Sequence, residues 1–396
     1  MHWAATHRAA THRADDDGRA GKRPMTSIQM KIVAELLRAT KRPRSTTTEQ
    51  VHAGLAQQKA QSMPPASLRT RHIVIDQQFG DFTNFSVRPR HDRSGMESRD
   101  SAPSAEHAAR HTTEHTDEHT DEHTARHSAQ PRAVLYIHGG AYVNGMAPQH
   151  WALVSRMVDA GLRVDVADYG LAPRYTHRDA YPFLTTVYGA LHAEAGSQNI
   201  TIVGDSAGGA LALGLAQTFV AAPRSAPLSS PIPSPTPTPT PTPPPPPPPP
   251  GVDVPAPTPA PTPTPVPMPR QLLLISPWLD LALTNPEIDA FQRRDPWLSA
   301  VALRQQGLAW AGGDDPNDPR LSPMSGSLQG LPPAHLYIGT RDILYPDVQL
   351  LREKAERAGW RMTLDVCPGA VHVYPLVPAP EGRRAARDIV ARCVHG

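Results

Sequence analysis

Gly204-Asp205-Ser206-Ala207-Gly208 sets a serine among small residues, after the apolar run Asn199-Ile200-Thr201-Ile202-Val203 and before an alanine- and leucine-rich run from Ala210 to Val220. Strand, Gly-x-Ser-x-Gly, helix is the order a nucleophile elbow needs, because flanking glycines let the chain turn sharply and push the hydroxyl outward. The five residues alone are a weak signal, since small residues cluster in loops. Their context carries the weight. A second candidate lies upstream, where Ala133-Val134-Leu135-Tyr136-Ile137 reads as a buried strand running into His138-Gly139-Gly140-Ala141-Tyr142. A glycine-rich turn after a strand leaves N–H groups unpaired, and acyl transfer needs such donors where negative charge builds on a carbonyl oxygen. Taken alone the stretch is a tight turn. Paired with the elbow it reads as an oxyanion hole.

Elements must hold these residues in place, and the rhythm of the chain supplies them. Arg71–Ile75 and Phe82–Val87 read as an early antiparallel pair. Strands follow at 134–137, 162–167, 199–203, 272–275, 334–338 and 362–366, with helices expected around 150–160, 182–193, 345–358 and 380–394. Strands alternating with helices imply an α/β chain with a mostly parallel sheet covered on both faces. The segments left over are helical too: Ile28–Leu37 places apolar residues at helical spacing, and 285–310 contains further helix signals.

Composition excludes several classes. The chain has 396 residues, room for one large domain or two ordinary ones, and a formal net charge of only +2, so nothing at the whole-chain level calls for nucleic acid. Two cysteines, Cys367 and Cys393, make no disulfide framework. No apolar run approaches the roughly 18 residues of a membrane span, and the N-terminus lacks the apolar core of a secretory signal. A cytoplasmic location is therefore expected.

Two tracts break the pattern. Most of the 47 prolines fall between Pro223 and Pro269, including an unbroken run from Pro243 to Pro250. Such a tract has no donors for helix or sheet and should be polyproline II. It falls in a helix-to-strand connection, where a long insertion costs little because closure entropy grows only logarithmically. A docking rod for a proline-recognising partner is one reading; an expanded repeat of no consequence is preferred. The other tract, 90–131, contains Glu114-His-Thr-Asp-Glu-His-Thr-Asp-Glu-His123. Histidines at i, i+4 and i+8 with acids beside them could bind zinc on a helix. Threonine disfavours helix, however, and the run has no apolar face to anchor it, so it reads as disordered. The repeat that opens the chain is of the same kind, and Met25 is a candidate start of the folded protein.

These motifs together resemble the hormone-sensitive-lipase type of α/β-hydrolase, a family of bacterial carboxylesterases. The resemblance rests on His138-Gly139-Gly140-Ala141 and Gly204–Gly209, with support from Tyr169-Gly-Leu-Ala-Pro173, Ser276-Pro-Trp-Leu-Asp-Leu281, Gly330-Leu-Pro-Pro333 and Gly339-Thr-Arg-Asp342. It covers residues 25–89 and 132–396 apart from the proline tract. It implies an N-terminal extension at 1–24, cap helices at 25–62 and about 283–313, and a hydrolase domain over 63–396 interrupted by 90–131 and 223–269. Two positions depart from the family pattern. Ala141 stands where the motif has a third glycine, which leaves its N–H in the hole unless the position requires positive φ. Arg174 stands where an acid is usual after Leu-Ala-Pro.

A serine hydroxyl needs a base, and the base needs an orienting acid. In this fold the order along the chain is serine, acid, histidine. Among the histidines after Ser206, His335 begins a strand and His395 sits next to the C-terminus. His372 lies in a loop after the last strand, where α/β sheets carry chemistry and where the family places its base. Asp342 follows the preceding strand and matches the family's acid. Asp347 falls one helical turn on and reads as a helix-dipole partner, Asp365 as structural, and Asp205 as support at most. His138 reads as a loop brace. The resulting expectation is a serine hydrolase cleaving carboxylic esters of short to medium acyl chains. Its catalytic residues are Ser206, Asp342 and His372, its oxyanion hole is made by Gly139, Gly140, Ala141 and Ala207, and no metal or organic cofactor is expected. A lactone hydrolase or amide deacetylase would use the same triad. A catalytically silent fold that binds a small ligand is the reading from another class, and the presence of all three residue types weighs against it. Family members often dimerise, but no stretch here identifies an interface.

Overall fold

Runs such as Ala133–Ile137 are short for a helix and apolar at every position, which suits a strand covered on both sides. All five of its residues are buried in the computed structural model of the chain, which describes residues 26–41, 47–57, 63–90, 132–221 and 266–396. The histidine- and proline-rich tracts lie outside the described residues except at Arg90 and 266–269, as does the segment 1–25. Eight strands form one sheet: β1 (Ile73–Phe79), β2 (Phe82–Arg88), β3 (Ala133–Ile137), β4 (Arg163–Asp168), β5 (Ile200–Asp205), β6 (Gln271–Ile275), β7 (Ala334–Gly339) and β8 (Met362–Cys367). Their spatial order is β1-β2-β4-β3-β5-β6-β7-β8. β1 and β2 join antiparallel to each other and to β4, and every other pair is parallel. The C-terminal ends of all six strands from β3 to β8 therefore point to one edge, and the loops leaving that edge can meet.

Alternation along the strands divides the core in two. Leu135, Ile137, Ile202, Leu274 and Leu336 face one layer; Val134, Tyr136, Val203, Leu273 and Ile275 face the other. The first layer is covered by α5 (His177–Ala195), α6 (Ala207–Ala221), α8 (Ala300–Ala311) and α9 (Tyr345–Ala358), through Leu184, Leu211, Leu303 and Leu351. The second is covered by α1 (Ile28–Thr40), α4 (Pro148–Asp159) and α10 (Pro380–His395), through Met30, Val154 and Ile389. Each such side chain, fully buried, contributes about 1.5–3 kcal/mol, so the sheet is a stiff platform for whatever leaves its edge. The remaining helices are α2 (Thr48–Leu55), α3 (Ala66–Arg71) and α7 (Ile288–Arg294). Among the described residues no helix is long and apolar enough to cross a membrane.

Two elements differ from the sequence expectation. α5 begins at His177, one turn and more before Pro182, because Thr176 caps it: the Thr176 hydroxyl accepts from the Arg178 N–H at 3.3 Å, and the Asp179 carboxylate accepts from the Thr176 N–H at 2.9 Å. The cap carries the helix on through Pro182, which stands inside it. β1 runs to Phe79 rather than ending at Ile75, because the two-residue link Gly80-Asp81 sets the register Phe79↔Phe82 and draws polar Gln77 and Gln78 into an exposed edge strand.

Candidate active site

The elbow is a backbone feature before it is a chemical one. β5 ends at Asp205, α6 starts at Ala207, and Ser206 between them has φ +53°, a left-handed conformation that costs a non-glycine residue about 1–2 kcal/mol. Its backbone is held from both sides. The Ser206 N–H donates to the Ile275 carbonyl at 2.8 Å, and the Trp278 N–H donates to the Ser206 carbonyl at 3.0 Å. Gly208 is required by close approach, since a Cβ there would run into the carbonyls of Ile137 and His138 at the end of β3. The strand that supplies the glycine turn and the helix that follows the serine are thereby pressed together.

That contact brings the two motifs into one place. A Cβ on Gly139 would lie 2.9 Å from the Ser206 Cβ and would strike the Asp205 carboxylate. The turn continues through Gly140 (φ +120°), Ala141 (+55°) and Tyr142 (+64°). Position 141 thus takes positive φ, which alanine adopts at a cost in strain while its N–H stays without a partner among the described residues. Among the described residues no hydrogen bond takes the amides of Gly139, Gly140, Ala141 or Ala207. Ala207 is the first residue of α6, where helix geometry leaves N–H groups without partners.

The loops after β7 and β8 bring in the remaining groups. Asp342 and His372 are fully or almost fully buried, and Ser206 is 7 % exposed. His372 Nδ1 lies 2.8 Å from Asp342 Oδ2, and Nε2 lies 3.0 Å from Ser206 Oγ. An ionised carboxylate only accepts, so Nδ1 carries the proton and Nε2 is left to accept from the serine. Burial pulls the His372 imidazole down, but the charge and hydrogen bond of Asp342, with Asp295 and Asp205 behind it, outweigh burial and raise its pKa above the ordinary 6.5. Asp342 is steadied by the Leu344 N–H, which donates to Oδ1 at 2.9 Å. His372 is steadied through its neighbour: the Val373 N–H donates to Ser276 Oγ at 3.0 Å, with Val373 itself at φ +47°.

The other sequence candidates sit elsewhere. His335 is the second residue of β7, at the far end of that strand from Asp342, where it bonds Thr363 Oγ1; burial pushes its pKa down to about 4. His395 ends α10. Asp347 stands in the first turn of α9, where it is buried, and desolvation pushes it up to about 7. Asp365 accepts from the Tyr374 hydroxyl at 3.0 Å. Asp205 is buried behind the elbow, accepting from the Tyr136 hydroxyl at 2.8 Å with His150 Nε2 at 3.3 Å; burial favours its neutral form, but His150 and Tyr136 prevail and its pKa is lowered. His138 stacks on Tyr169, with ring centroids 4.5 Å apart, and its carbonyl accepts from the Tyr169 hydroxyl at 2.8 Å.

Sequence reasoning assigned no role to Asp295, Trp297 or Ser276. Asp295 Oδ2 accepts from the Ile343 N–H at 2.8 Å, next to Asp342, while Oδ1 accepts from the Trp297 and Leu298 amides at 2.7 and 2.9 Å. Trp297 meets the His372 ring edge-on at 5.7 Å. Burial and the charge of Asp342 push Asp295 up to about 6. An acid just before Pro296, between two helix signals, was the available hint, since Asp side chains close such turns. Behind the glycine turn, Tyr142 stacks on Trp310 of α8 at 4.5 Å and lies against Trp278 at 5.4 Å, all three buried. A cavity of about 910 Å³ opens beside the same turn and shares Val143 as wall; Leu55, Phe82, Leu171, Arg174 and Tyr175 line it, and Ser206 does not. Arg174 lies over the Tyr175 ring at 5.0 Å.

A family described as alpha/beta hydrolase fold matches residues 134–376. The chain is 30 % identical over 262 residues to an esterase of Acinetobacter venetianus, covering 65 % of this chain and 72 % of that protein. It is also 30 % identical over 266 residues to an acetyl-hydrolase of Streptomyces hygroscopicus, covering 64 % and 72 %. Among solved structures, an esterase from the bacterial hormone-sensitive lipase family superposes with a TM-score of 0.62 at 21 % identity, covering 93 % of this chain and 98 % of that one. An esterase/lipase from an uncultured bacterium gives 0.63 at 21 % identity with the same coverage. At that identity the structural likeness speaks for the fold.

Proposed function

The chain belongs to the α/β-hydrolase fold family, and from that premise we propose that Ser206, His372 and Asp342 carry out its ester hydrolysis as nucleophile, base and orienting acid. It is an ester-hydrolysing enzyme. The observation that supports this site is the continuous chain of contacts from Asp342 Oδ2 through both nitrogens of His372 to Ser206 Oγ.

In this reading His372 Nε2 takes the hydroxyl proton as Ser206 Oγ bonds to the acyl carbon. The carbonyl oxygen takes up negative charge and receives the amides of Gly140, Ala141 and Ala207, with Gly139 beside them. Preorganised donors of this kind are worth about 3–4 kcal/mol each in the transition state. Asp342 stabilises the imidazolium. The proton passes to the departing alcohol oxygen, the ester C–O bond breaks, and an acyl-serine remains. Water, deprotonated by His372, then attacks the acyl carbon; the acid leaves and Ser206 regains its proton. The helices α1, α2, α7 and α8 serve as the cap. The acyl group is short to medium in length, in keeping with the acetyl-hydrolase relative and with the closed Tyr142–Trp278–Trp310 wall. The alcohol side is assigned to the cavity beyond Val143. Cys367 and Cys393 are unpaired, with thiols pushed up to about 12 by burial, which suits a reducing cytoplasm.

The test is labelling combined with a pH profile. A fluorophosphonate should modify Ser206, located by peptide mass spectrometry, and kcat/KM for p-nitrophenyl acetate should fall on an acid limb. Hydrolysis needs neutral His372, and its pKa is raised, so that limb lies above pH 6.5. A label on another residue, or a rate flat from pH 8 to pH 5, defeats the proposal.

Asp295 gives a further expectation. It bridges the segment before α8 to the loop of the catalytic acid, so it acts on catalysis through Asp342 rather than on substrate. In Asp295→Asn, one of the three accepted amides meets an NH2 group, and the negative charge that helps hold His372 up is lost. kcat should drop about tenfold, the cost of about one charge-assisted hydrogen bond, with KM little changed. The acid limb should also move to lower pH. An unchanged limb would leave Asp295 a purely structural tie.

A further inference from the structure

Three arginines from distant parts of the chain meet outside the hydrolytic centre. Arg38 comes from the last turn of α1, Arg294 ends α7, and Arg341 precedes Asp342 in the loop after β7; with Phe291, Thr340 and Tyr345 they line a cavity of about 450 Å³. Among the described residues, one carboxylate answers them. Glu35, exposed at the mouth, receives Arg38 Nη1 at 2.8 and 3.0 Å and lies 3.9 Å from Arg341 Nη2. Arg294 has no carboxylate partner among the described residues and instead lies over the Phe291 ring at 4.9 Å. That ring stacks on Tyr345 at 5.3 Å and 19°, forming an apolar floor.

Guanidinium groups gathered without matching acids repel one another, and helix C-termini relieve that only in part. Three forks also offer more donors than the two oxygens of one carboxylate can take. A tetrahedral dianion suits them better, with its several oxygens spread over three donors. We propose that this cavity is a binding site for a phosphoryl dianion, in which Arg294 and Arg341 grip the oxygens, Arg38 completes the set, and Glu35 is the internal group the ligand displaces. The source is either a soluble phosphate monoester or the headgroup of an anionic lipid. The lipid source is considered because α1 also shows Ile28, Ile32 and Leu36 to solvent at four-residue spacing.

Isothermal titration of the full chain with inorganic phosphate, at ionic strength held constant with chloride, reads the site without reference to hydrolysis. Its failure is therefore separable from failure of the esterase mechanism. Saturable binding is expected with Kd on the order of 1 mM or tighter. Arg294→Gln should weaken it about tenfold or more, as loss of a charged donor does. Glu35→Gln should tighten it by removing the competing carboxylate. Arg357→Gln, an exposed arginine in the last turn of α9, controls for net charge and should leave it unchanged. Sedimentation with vesicles of phosphatidic acid in phosphatidylcholine, against phosphatidylcholine alone, separates the sources. Arg294-dependent capture by phosphatidic acid assigns a lipid, and phosphate binding without capture assigns a soluble ligand. No saturation by about 10 mM phosphate together with no capture overturns the proposal, as does equal weakening by Arg294→Gln and Arg357→Gln.

Discussion

Ser206→Ala should lower kcat for p-nitrophenyl acetate by about 10⁶-fold while the protein stays folded. The hydroxyl stands at the end of the Asp342–His372 chain, and its oxygen lies 3.0 Å from Nε2. Removing it takes away both the attacking atom and the proton that His372 would accept. The fold should tolerate the change because the elbow is fixed by its backbone. The bonds from the Ser206 N–H to Ile275 and from the Trp278 N–H to the Ser206 carbonyl do not involve the side chain. Alanine also takes a left-handed φ at position 141 of this same chain. The loss to stability is one hydrogen bond to a buried imidazole, about 1–3 kcal/mol, which shifts the thermal midpoint by several degrees. A trace of turnover above water should persist through the amides of the glycine turn. Fluorophosphonate labelling should vanish altogether. A variant that keeps activity within tenfold of the parent, with its circular dichroism unchanged, would place the nucleophile elsewhere.

What the sequence made legible was local. The elbow is legible because Gly204, Ser206 and Gly208 lie within five residues, and each answers a constraint of one sharp turn. Strands are legible because β3 is short and apolar at every position and β5 carries Ile200, Ile202 and Val203, as a doubly covered sheet requires; both are buried along their whole length. Asp342 and His372 follow from order: loops after consecutive parallel strands emerge at one edge, so a serine, an acid and a histidine in succession can meet. Other features were hidden by sequence distance. The bond from Asp295 to Ile343 spans 48 residues, and that from Val373 to Ser276 spans 97. Neither leaves a periodic mark, because a single acid or hydroxyl in a loop has no pattern to betray its partner. The φ of Ala141 was hidden for another reason. Alanine in place of glycine normally argues against a left-handed turn, yet Ala141 takes one between Gly140 and Tyr142, both also at positive φ. Arg38, Arg294 and Arg341 likewise read as solvated surface until the fold gathers them.

Asp342→Asn is the second large effect, and it differs in kind because every reacting atom remains. Asp342 Oδ2 takes the proton on His372 Nδ1, and Oδ1 takes the Leu344 N–H. Asparagine cannot accept on both sides. If its oxygen faces Leu344, its NH2 faces His372 and forces Nδ1 to accept; the ring proton then sits on Nε2, which can no longer take one from Ser206. If the oxygen faces His372, two donors collide at Leu344 in a site with no solvent exposure. Either arrangement should cost about 10⁴-fold in kcat, or roughly 5.5 kcal/mol. The pH profile separates this from simple damage. Asp342 is the principal group raising the pKa of His372 against its burial. Without that charge the imidazole is harder to protonate, so the acid limb of the residual activity should move to lower pH, with Asp295 leaving a smaller upward pull. Ser206→Ala offers no such shift, having lost the nucleophile rather than the tuning of its base. If Asp342→Asn kept the parent limb and lost less than tenfold in rate, the orienting acid would have to be Asp295, which already lies within reach of the same loop.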